Sequence, residues 1–389
     1  MVSHSIAICA GEASGDLNGA HLAAALIQFL PDLTVWGAGG PKMRAAGVQL
    51  VETMTGGGTI GISETFKALP ATAAKYLRLR RELLRRRPDL FVPIDYGAFN
   101  TRLAQIARKN GIGVVYYFPP SSWRKEPTNA AKLLACGGKV ITPFPWSADF
   151  LGSKGVDARF VGHPLVDIVK PDRDKSEFLR ELDLSDSLPT IGLLPGSRAH
   201  ELREHLAPMI GCAEIIHREL GGTQFVIAVT GRADDIRRRV RAASDSDADF
   251  PAIRVVENRT YDCMTHSDFL IAKSGTATLE AAILGTPMVI VYRGTPVMRL
   301  EYRLRKSELG DHIGMPNIVA GRGVCPELLN EDVTAEKIAD IALGLLRDEA
   351  RLAEMKVSLA EVRKQLGDSG AVERAARTLL EMGGIPSTP

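Results

Sequence analysis

The sequence predicts an α/β protein built from two parallel, doubly wound sheets. Short apolar runs alternate with helix-length segments along almost the whole chain, a pattern typical of parallel sheets covered by helices. A polar, charged stretch at 170–187 interrupts the pattern once, after which it begins again. At 389 residues the chain is long enough for two domains that each bury a core.

The two halves contain similar sets of predicted strands. In the first half they lie at 5–9, 34–37, 90–94, 113–117, 139–142 and 158–161, and in the second at 190–194, 224–229, 253–256, 269–272 and 287–292. The tail from 333 to 382 predicts helices, with caps such as Thr334 and Glu336, and its last segment is predicted to cross back to the first domain. We therefore divide the chain into domains 1–168 and 169–350 and C-terminal helices at 351–389.

The chain opens with a strand, a glycine-containing loop and an apolar-periodic helix predicted at 17–30. The loop lacks the third glycine of the dinucleotide fingerprint, and no strand-end acid follows at the expected distance, which disfavours a nicotinamide enzyme. Its Asp16 is also interpretable as the N-cap of the following helix.

A loop in the second half has the composition of a nucleotide-diphosphate cradle. Ser274, Gly275 and Thr276 precede a predicted helix, whose unpaired N–H groups and dipole favour an anion. Glu280 lies one helical turn further on, within reach of a ribose.

A second loop of the same kind follows the strand predicted at 190–194. Here Gly196, Ser197 and Arg198 precede a helix, and the arginine guanidinium is suited to holding two phosphate oxygens. Each of the two loops, taken alone, is equally consistent with an ordinary strand-to-helix connection.

Composition excludes several classes of protein. The 48 basic and 46 acidic residues give a formal net charge of +2, which does not favour nucleic-acid binding. The cysteines are five in number, widely spread and without a Cys-x-x-Cys pair, which argues against a disulfide framework or a zinc site: Cys9, Cys136, Cys212, Cys263 and Cys325. The sequence shows no secretion signal and no apolar run near the ~20 residues that a membrane span needs, so we expect a cytoplasmic protein.

Asp95 follows directly on the apolar strand predicted at 90–94. Because open α/β sheets place functional groups at the carboxyl ends of their strands, Asp95 is a candidate general base. The alternative is a turn or helix cap. The acidic segment 245–249 has the look of an Asp-x-Asp metal motif but lies in a polar loop without the glycine of a calcium loop, so we expect it to be solvated and predict no metal.

Nine segments together resemble the lipid-A-disaccharide synthases, in order and across nearly the whole chain: 11–16 (GEASGD), 94–95 (ID), 99–100 (FN), 161–164 (VGHP), 194–198 (LPGSR), 274–280 (SGTATLE), 292–293 (YR), 316–317 (PN) and 320–322 (AGR). The resemblance implies a GT-B fold, with two Rossmann-like domains that face each other across a cleft. It implies an acceptor and lipid side in the first domain and a UDP-sugar side in the second. The implied reaction is an inverting transfer of 2,3-diacylglucosamine from its UDP carrier to 2,3-diacylglucosamine 1-phosphate, without a cofactor.

The resemblance also assigns roles to residues. Asp95 matches the family's proposed base. The UDP side is implied to comprise Gly196, Ser197, Arg198, Ser274, Gly275, Thr276, Glu280, Arg293 and Asn317. The acceptor side of the cleft is implied to comprise Gly11, Glu12, Ser14, Gly15, Asp16, Asn100 and His163. For His163, a packing or hydrogen-bonding role is the competing interpretation.

Acylated substrates require an apolar and basic approach surface. The segment 75–87 has seven basic residues against one acid, among them Arg78, Arg81 and Arg85, and fits an amphipathic helix on the anionic cytoplasmic surface of the inner membrane. Upstream, Ile60, Ile62 and Phe66 are predicted to contact acyl chains. The alternative is an ordinary surface helix whose leucines pack inwards and whose arginines face water.

The chain departs from the family around the acceptor. It reads Tyr-Gly-Ala at 96–98, where the family has a second carboxylate, and it shortens the aromatic segment at 118–124. Two alternatives therefore stay open, namely a GT-B enzyme for another UDP-sugar or acceptor, including a 2-epimerase-like reaction, and a non-catalytic, membrane-associated nucleotide-sugar binder. The sequence leaves the oligomeric state open, a homo-oligomer included.

Overall fold

A computed structural model describes residues 4–54, 62–122, 124, 129–244, 250–295 and 312–386, without the side chains of 62–69. The chain divides into two compact units, the first formed by 1–167 with 366–389 and the second by 168–365. The boundaries predicted from the sequence lie at 168/169 and at 350/351. The difference at the second division arises because the helix Glu349–Gln365 belongs to unit 2.

Unit 1 alternates strands and helices from its first residues. Its strands are β1 (Ser5–Ala10), β2 (Thr34–Gly39), β3 (Gln49–Thr53), β4 (Leu90–Ile94), β5 (Gly113–Val114), β6 (Tyr116–Tyr117), β7 (Lys139–Thr142) and β8 (Asp157–Phe160). The helices are α1 (Ala13–Phe29), α2 (Pro41–Ala45), α3 (Ile62–Arg86), α4 (Gly97–Lys109), α5 (Ala130–Ala135), α6 (Pro145–Ser153) and, at the boundary with unit 2, α7 (Leu165–Ile168).

The sheet of unit 1 is parallel, with the order β3-β2-β1-β4-β6-β7-β8, and β5 pairs with β4 beside β6. From β1 the chain moves outwards to β2 and β3, and then returns to β4 on the other side of β1. The strand order therefore reverses between β1 and β4, whose following loops meet at the carboxyl edge of the sheet.

Unit 2 repeats this design. It contains α8 (Lys175–Glu181), β9 (Thr190–Leu194), α9 (Ala199–Leu220), β10 (Gln224–Val229), α10 (Ala233–Ser244), β11 (Ala252–Glu257), α11 (Thr260–His266), β12 (Phe269–Lys273), α12 (Thr276–Leu284), β13 (Met288–Tyr292), α13 (Met315–Ala320), β14 (Glu327–Leu329), α14 (Ala335–Leu346) and α15 (Glu349–Gln365). The parallel order is β11-β10-β9-β12-β13-β14, so the order reverses between β9 and β12.

The last helix, α16 (Ala371–Gly383), returns to unit 1. Its Leu379 and Leu380 are fully buried in the same apolar cluster as Leu22 and Leu26 of α1. The carboxylate of Asp167 accepts hydrogen bonds from the backbone N–H groups of Gly370 and Val372, at 2.7 and 2.9 Å, and so caps the start of α16.

The predicted fold class is confirmed, since each unit is a parallel α/β sheet covered by helices. Most strands begin and end within two residues of their predicted limits, because they are apolar runs buried on both faces. Two strands were missed, β3 and β14, which lie at sheet edges and are only partly buried. Thr334 caps its helix as predicted, since its hydroxyl accepts from the N–H of Lys337.

Candidate functional site

Asp95 lies at the reversal point of the first sheet, directly after β4. The residue is exposed to solvent, yet the protein packed around its carboxyl group displaces enough water to raise its pKa to about 6. The carboxylate of Glu12, at the start of α1, adds to this increase, and a hydrogen bond from the backbone of Tyr96 opposes it. The site therefore holds a carboxylate that is ionised at neutral pH but more basic than an ordinary aspartate.

The backbone around Asp95 is left-handed at three consecutive residues. The φ angles are 43° at Asp95, 57° at Tyr96 and 41° at Gly97, and this region is sparsely populated by residues other than glycine. The N–H of Asp95 donates to the carbonyl of Phe118 at 3.0 Å. The turn re-aims the chain between the end of β4 and the start of α4.

Gly11 faces the ring of Tyr96. A Cβ atom on Gly11 would lie 2.1 Å from two carbons of that ring, so no other residue fits while Tyr96 keeps its position. The aromatic ring packs further against Phe99, at a centroid distance of 5.1 Å. Of the neighbouring predicted residues, Gly15 is buried and Ser14 is exposed at the start of α1.

Asp16 caps a helix, but not the one that follows it in sequence. Its carboxylate accepts from the backbone N–H groups of Gly40, Lys42 and Met43, at 2.7, 3.1 and 3.0 Å, and so caps α2. The predicted N-cap role on α1 is therefore wrong, since α1 begins at Ala13 and Asp16 lies in its first turn. These three bonds also occupy the carboxylate that was predicted to face an acceptor.

Asn100 and His163 are buried rather than surface-lining. Asn100 is 0% exposed, and its amide group donates to main-chain carbonyls beneath Asp95. His163 packs against Phe118 and Phe144, and its Nδ1 accepts from the N–H of Leu165 at 3.2 Å. Burial lowers the pKa of His163 to about 3, so the ring is neutral. These buried positions do not support a direct contact between the acceptor substrate and the side chain of Asn100 or His163.

At the reversal point of the second sheet, the loop after β9 is closed by a residue that sequence reasoning did not include in the site. The carboxylate of Glu201, in the first turn of α9, accepts from the N–H groups of Ser197 and Arg198 at 3.0 and 3.2 Å. Gly196 leaves room for it, because a Cβ there would lie 2.5 Å from a carboxylate oxygen. These two loop N–H groups, expected to face a phosphate, instead bind Glu201.

Lys273, the last residue of β12, is the partner of Glu201. Its Nζ donates to Glu201 Oε1 at 2.7 Å, and both side chains are largely buried. Burial by itself would raise the pKa of Glu201, but the ammonium of Lys273 and the two N–H donors outweigh it and lower that pKa. The pair thereby ties the loop after β9 to the end of β12.

The loop from β12 to α12 is joined to a third segment. The hydroxyl of Ser274 donates to the carbonyl of Ile313 at 2.7 Å, and Thr278 donates to the carbonyl of Gly275 at 2.8 Å. Gly275 has φ 155°, outside the range of most side chains, and Thr276 is exposed at the N-terminus of α12. One turn further, Glu280 accepts from the hydroxyl of Tyr261 at 3.3 Å.

The side-chain amide of Asn317 makes its hydrogen bonds within the protein. Its Nδ2 donates to the carbonyl of Cys325 and to the carboxylate of Glu327, at 2.8 and 2.6 Å. Its Oδ1 accepts from the N–H groups of Val324 and Cys325, both at 2.8 Å. At 1% exposure, Asn317 therefore does not present its amide to a nucleotide, which corrects the predicted contact. Glu327 also accepts from the N–H groups at 313 and 314, so the two side chains fix the two residues directly before α13.

Arg293 is positioned through a buried histidine. Its N–H donates to His205 Nε2 at 2.9 Å, while His205 Nδ1 lies 2.7 Å from the carbonyl of Glu201. A carbonyl only accepts, so the ring carries its proton on Nδ1. Burial lowers the pKa of His205, in keeping with a neutral ring. His205 thus links the first turn of α9 to the end of β13.

The basic helix α3 is partly paired and partly open to solvent. Arg78 lies 3.2 Å from the carboxylate of Glu52, and Arg85 and Arg86 both contact Glu82. Leu83 is buried, whereas Leu77 is 59% exposed beside the arginines. The predicted acyl contact at Ile60 lies outside the described residues, as do the side chains of Ile62 and Phe66 and the segment 245–249. Over the described helices, none is long and apolar enough to span a membrane.

Comparison with known proteins gives consistent results. The family model described as lipid-A-disaccharide synthetase matches residues 6–382. The lipid-A-disaccharide synthase of Syntrophus aciditrophicus is 37% identical over 379 residues, which cover 97% of each chain. In fold, the chain is similar to a putative UDP-N-acetylglucosamine 2-epimerase from Listeria monocytogenes, with a TM-score of 0.65 at 14% identity over 100% of both chains. The calicheamicin glycosyltransferase CalG4 gives a TM-score of 0.60 at 16% identity over 99% of both chains.

Proposed function

Because the chain belongs to the lipid-A-disaccharide synthetase family, we propose that it transfers the 2,3-diacylglucosamine unit of UDP-2,3-diacylglucosamine to 2,3-diacylglucosamine 1-phosphate, giving the disaccharide 1-phosphate and UDP. The observation that carries this proposal is the family match, which runs from residue 6 to residue 382 and so includes both units. The protein is accordingly a glycosyltransferase, and the proposal specifies its two substrates.

Asp95 is the proposed general base. Its carboxylate takes the proton from the attacking hydroxyl of the acceptor as the oxygen forms a bond to C1 of the donor sugar, and the bond from C1 to the UDP oxygen breaks with inversion. Support comes from the position of Asp95 at a reversal point of the sheet and from its pKa of about 6, close to the pH at which a base operates best.

The donor's diphosphate is assigned to unit 2, at the reversal point between β9 and β12. Since Glu201 occupies the N–H groups of Ser197 and Arg198, we assign the contacts in this loop to the side chains of these two residues. Ser274, Gly275 and Thr276 add the N-terminal end of α12, whose dipole favours the negative charge that develops on departing UDP. Glu280 is assigned to the ribose.

Membrane association is proposed for α3. Arg78, Arg81 and Arg85 are exposed at spacings of three and four residues, and the exposed Leu77 lies four residues before Arg81, so these side chains form one stripe of the helix. A stripe that combines cations with an exposed leucine suits the anionic cytoplasmic surface of the inner membrane, and a membrane surface is where acylated substrates would be met. Binding to vesicles that contain anionic lipid should fall when Arg81 and Arg85 are replaced by Glu, whereas unchanged binding would remove this role.

The reaction is tested with purified protein and UDP-2,3-diacylglucosamine, with and without 2,3-diacylglucosamine 1-phosphate. We expect acceptor-dependent release of UDP and, by mass spectrometry, a phosphorylated tetraacyl disaccharide. Asp95→Asn should abolish turnover and keep UDP affinity, while Arg198→Ala should weaken UDP affinity. If UDP binds to the wild type but no disaccharide forms, the proposed acceptor is wrong.

A further inference from the structure

Two side chains donate hydrogen bonds to the main-chain carbonyl of Asp95, in the left-handed turn that follows β4. A left-handed conformation is strained for a residue other than glycine, and two such residues stand side by side here, at Asp95 and Tyr96. Such strain persists only where the surrounding structure fixes it, and strained residues cluster at functional sites. The bonds that fix it therefore identify residues on which the orientation of Asp95 depends.

One of these bonds comes from Tyr116 of β6. Its hydroxyl donates to the carbonyl of Asp95 at 2.9 Å, and the side chain is buried between the sheet and the helices on one of its faces. The next residue, Tyr117, is equally buried but belongs to the apolar cluster on the opposite face. Two tyrosines in one short strand thus differ in whether they reach the turn.

The other bonds come from the amide of Asn100. Its Nδ2 lies 3.0 Å from each of three carbonyl oxygens, those of Cys9, Ile94 and Asp95. An amide nitrogen donates to carbonyls and an amide oxygen cannot, so these three acceptors fix which way the side chain is turned. Asn100 thereby joins the ends of β1 and β4, the two strands between which the order of the sheet reverses.

The same side chain leaves its oxygen without a partner. Asn100 Oδ1 is buried and accepts no hydrogen bond, although burial of an unsatisfied carbonyl is costly. The two N–H donors of the amide are shared among the three carbonyls, one at the end of β1 and two at the end of β4 and in the turn.

We propose that Tyr116 and Asn100 are positioning residues for the reaction, which act by holding the main-chain carbonyl of Asp95 so that its carboxylate points at the acceptor hydroxyl. This inference rests on the proposed function, since it assumes that Asp95 is the base. The two side chains do not touch substrate. If the turn rotates, the carboxylate moves away from the proton that it accepts. A displacement of a fraction of an ångström is enough to lower the rate, because the rate depends steeply on the position of the reacting atoms.

Tyr116→Phe tests the inference, with Tyr117→Phe as the matched control. Tyr117→Phe removes the hydroxyl of an equally buried ring that packs on the opposite face, so it shows what loss of a tyrosine hydroxyl from this strand does without loss of the bond to Asp95. Only Tyr116→Phe should lower kcat, by about tenfold, with the KM of the donor and the Kd of UDP unchanged. Asn100→Asp, which removes the amide donors at constant volume, should lower kcat further. In the Tyr116→Phe and Asn100→Asp variants the acid limb of the pH profile should move, because the environment of Asp95 changes.

The outcomes separate the inference from the function on which it rests. A wild-type protein that forms no disaccharide would overturn both. A wild-type protein that turns over, together with a Tyr116→Phe variant of unchanged kcat and unchanged pH profile, would overturn the inference alone. Equal losses of kcat in Tyr116→Phe and Tyr117→Phe would also overturn it, because the effect would then follow general stability.

Discussion

Replacing Glu12 by Gln should extend turnover to lower pH. Burial is the main cause of the raised pKa of Asp95, and the negative charge of Glu12 is the next. Removing that charge lowers the pKa of Asp95 and leaves its burial unchanged. The variant should therefore keep its base ionised under acidic conditions in which the wild type has lost it.

The size of the effect follows from the pKa of about 6. For the wild type, about 97% of Asp95 is ionised at about pH 7.5 and about 9% at about pH 5, so kcat/KM should fall roughly tenfold between them. An ordinary aspartate, with a pKa near 3.9, would be about 93% ionised at about pH 5. At about pH 5, kcat/KM of Glu12→Gln should exceed that of the wild type by less than tenfold, because burial still raises the pKa of Asp95. At about pH 7.5 the two values of kcat/KM should be nearly equal.

The assay is acceptor-dependent UDP release across the pH range at subsaturating acceptor. The acceptor's phosphate ionises near pH 6 as well, but it does so equally for every variant, so the ratio of variant to wild type isolates the enzyme group. Glu354→Gln makes the same chemical change at an exposed position of α15 and should reproduce the wild-type profile. A Glu12→Gln profile superimposable on the wild-type profile would refute the assignment of Asp95 as the group that limits the acid side.

Three further changes have expected outcomes. The pKa of Asp95 is higher in the folded protein than in the unfolded chain, so ionisation of Asp95 disfavours folding as pH rises through about 6. Asp95→Asn should therefore raise the urea midpoint more at about pH 7.5 than at about pH 5. Equal midpoint changes at the two values would contradict this. Lys273→Met leaves Glu201 buried without its cation and should cost about 3 kcal/mol of unfolding free energy. Adding Glu201→Met should restore a part of this loss. A double variant less stable than Lys273→Met would argue against the pair. Asp16→Ala removes the acceptor of three N–H groups and should cost about 2 kcal/mol, with Asp16→Asn less severe and UDP affinity unchanged in both, as measured by urea unfolding and calorimetry.

Local patterns were sufficient to place the strand ends and the loops that follow them. The apolar run before Asp95 and the glycines of the three loops are short-range signals, and parallel pairing brings them to the carboxyl edge of each sheet. Local patterns did not predict the hydrogen bonds that a side chain makes to a distant part of the chain. Asp16 caps a helix that begins 25 residues later, and nothing in the sequence around Asp16 distinguishes this from a cap on its own helix.

One of the two roles of Glu201, its hydrogen bond to the N-cap N–H, could have been predicted from the sequence. A glutamate three residues after the N-cap position of a helix commonly accepts from the N-cap N–H, and Arg198 and Glu201 have this spacing. Its pairing with Lys273, 72 residues away, depends on the adjacency of β9 and β12, which appears only when the sheet is assembled. Asn317 was assigned from a motif that does not reveal whether an amide faces a ligand or its own loop.

The return of α16 to unit 1 has a consequence for synthesis. Helix α1 packs its apolar face against α16, from which it is separated in sequence by the rest of unit 1 and all of unit 2, so α1 leaves the ribosome long before its partner. Until then, the first unit lacks a layer of its core, although domains otherwise tend to fold in order from the N-terminus. The second unit is complete in sequence at residue 365 and is therefore able to finish folding before the first. A nascent chain thus leaves the apolar face of α1 uncovered until α16 has been made, and we expect this face to bind chaperones during translation.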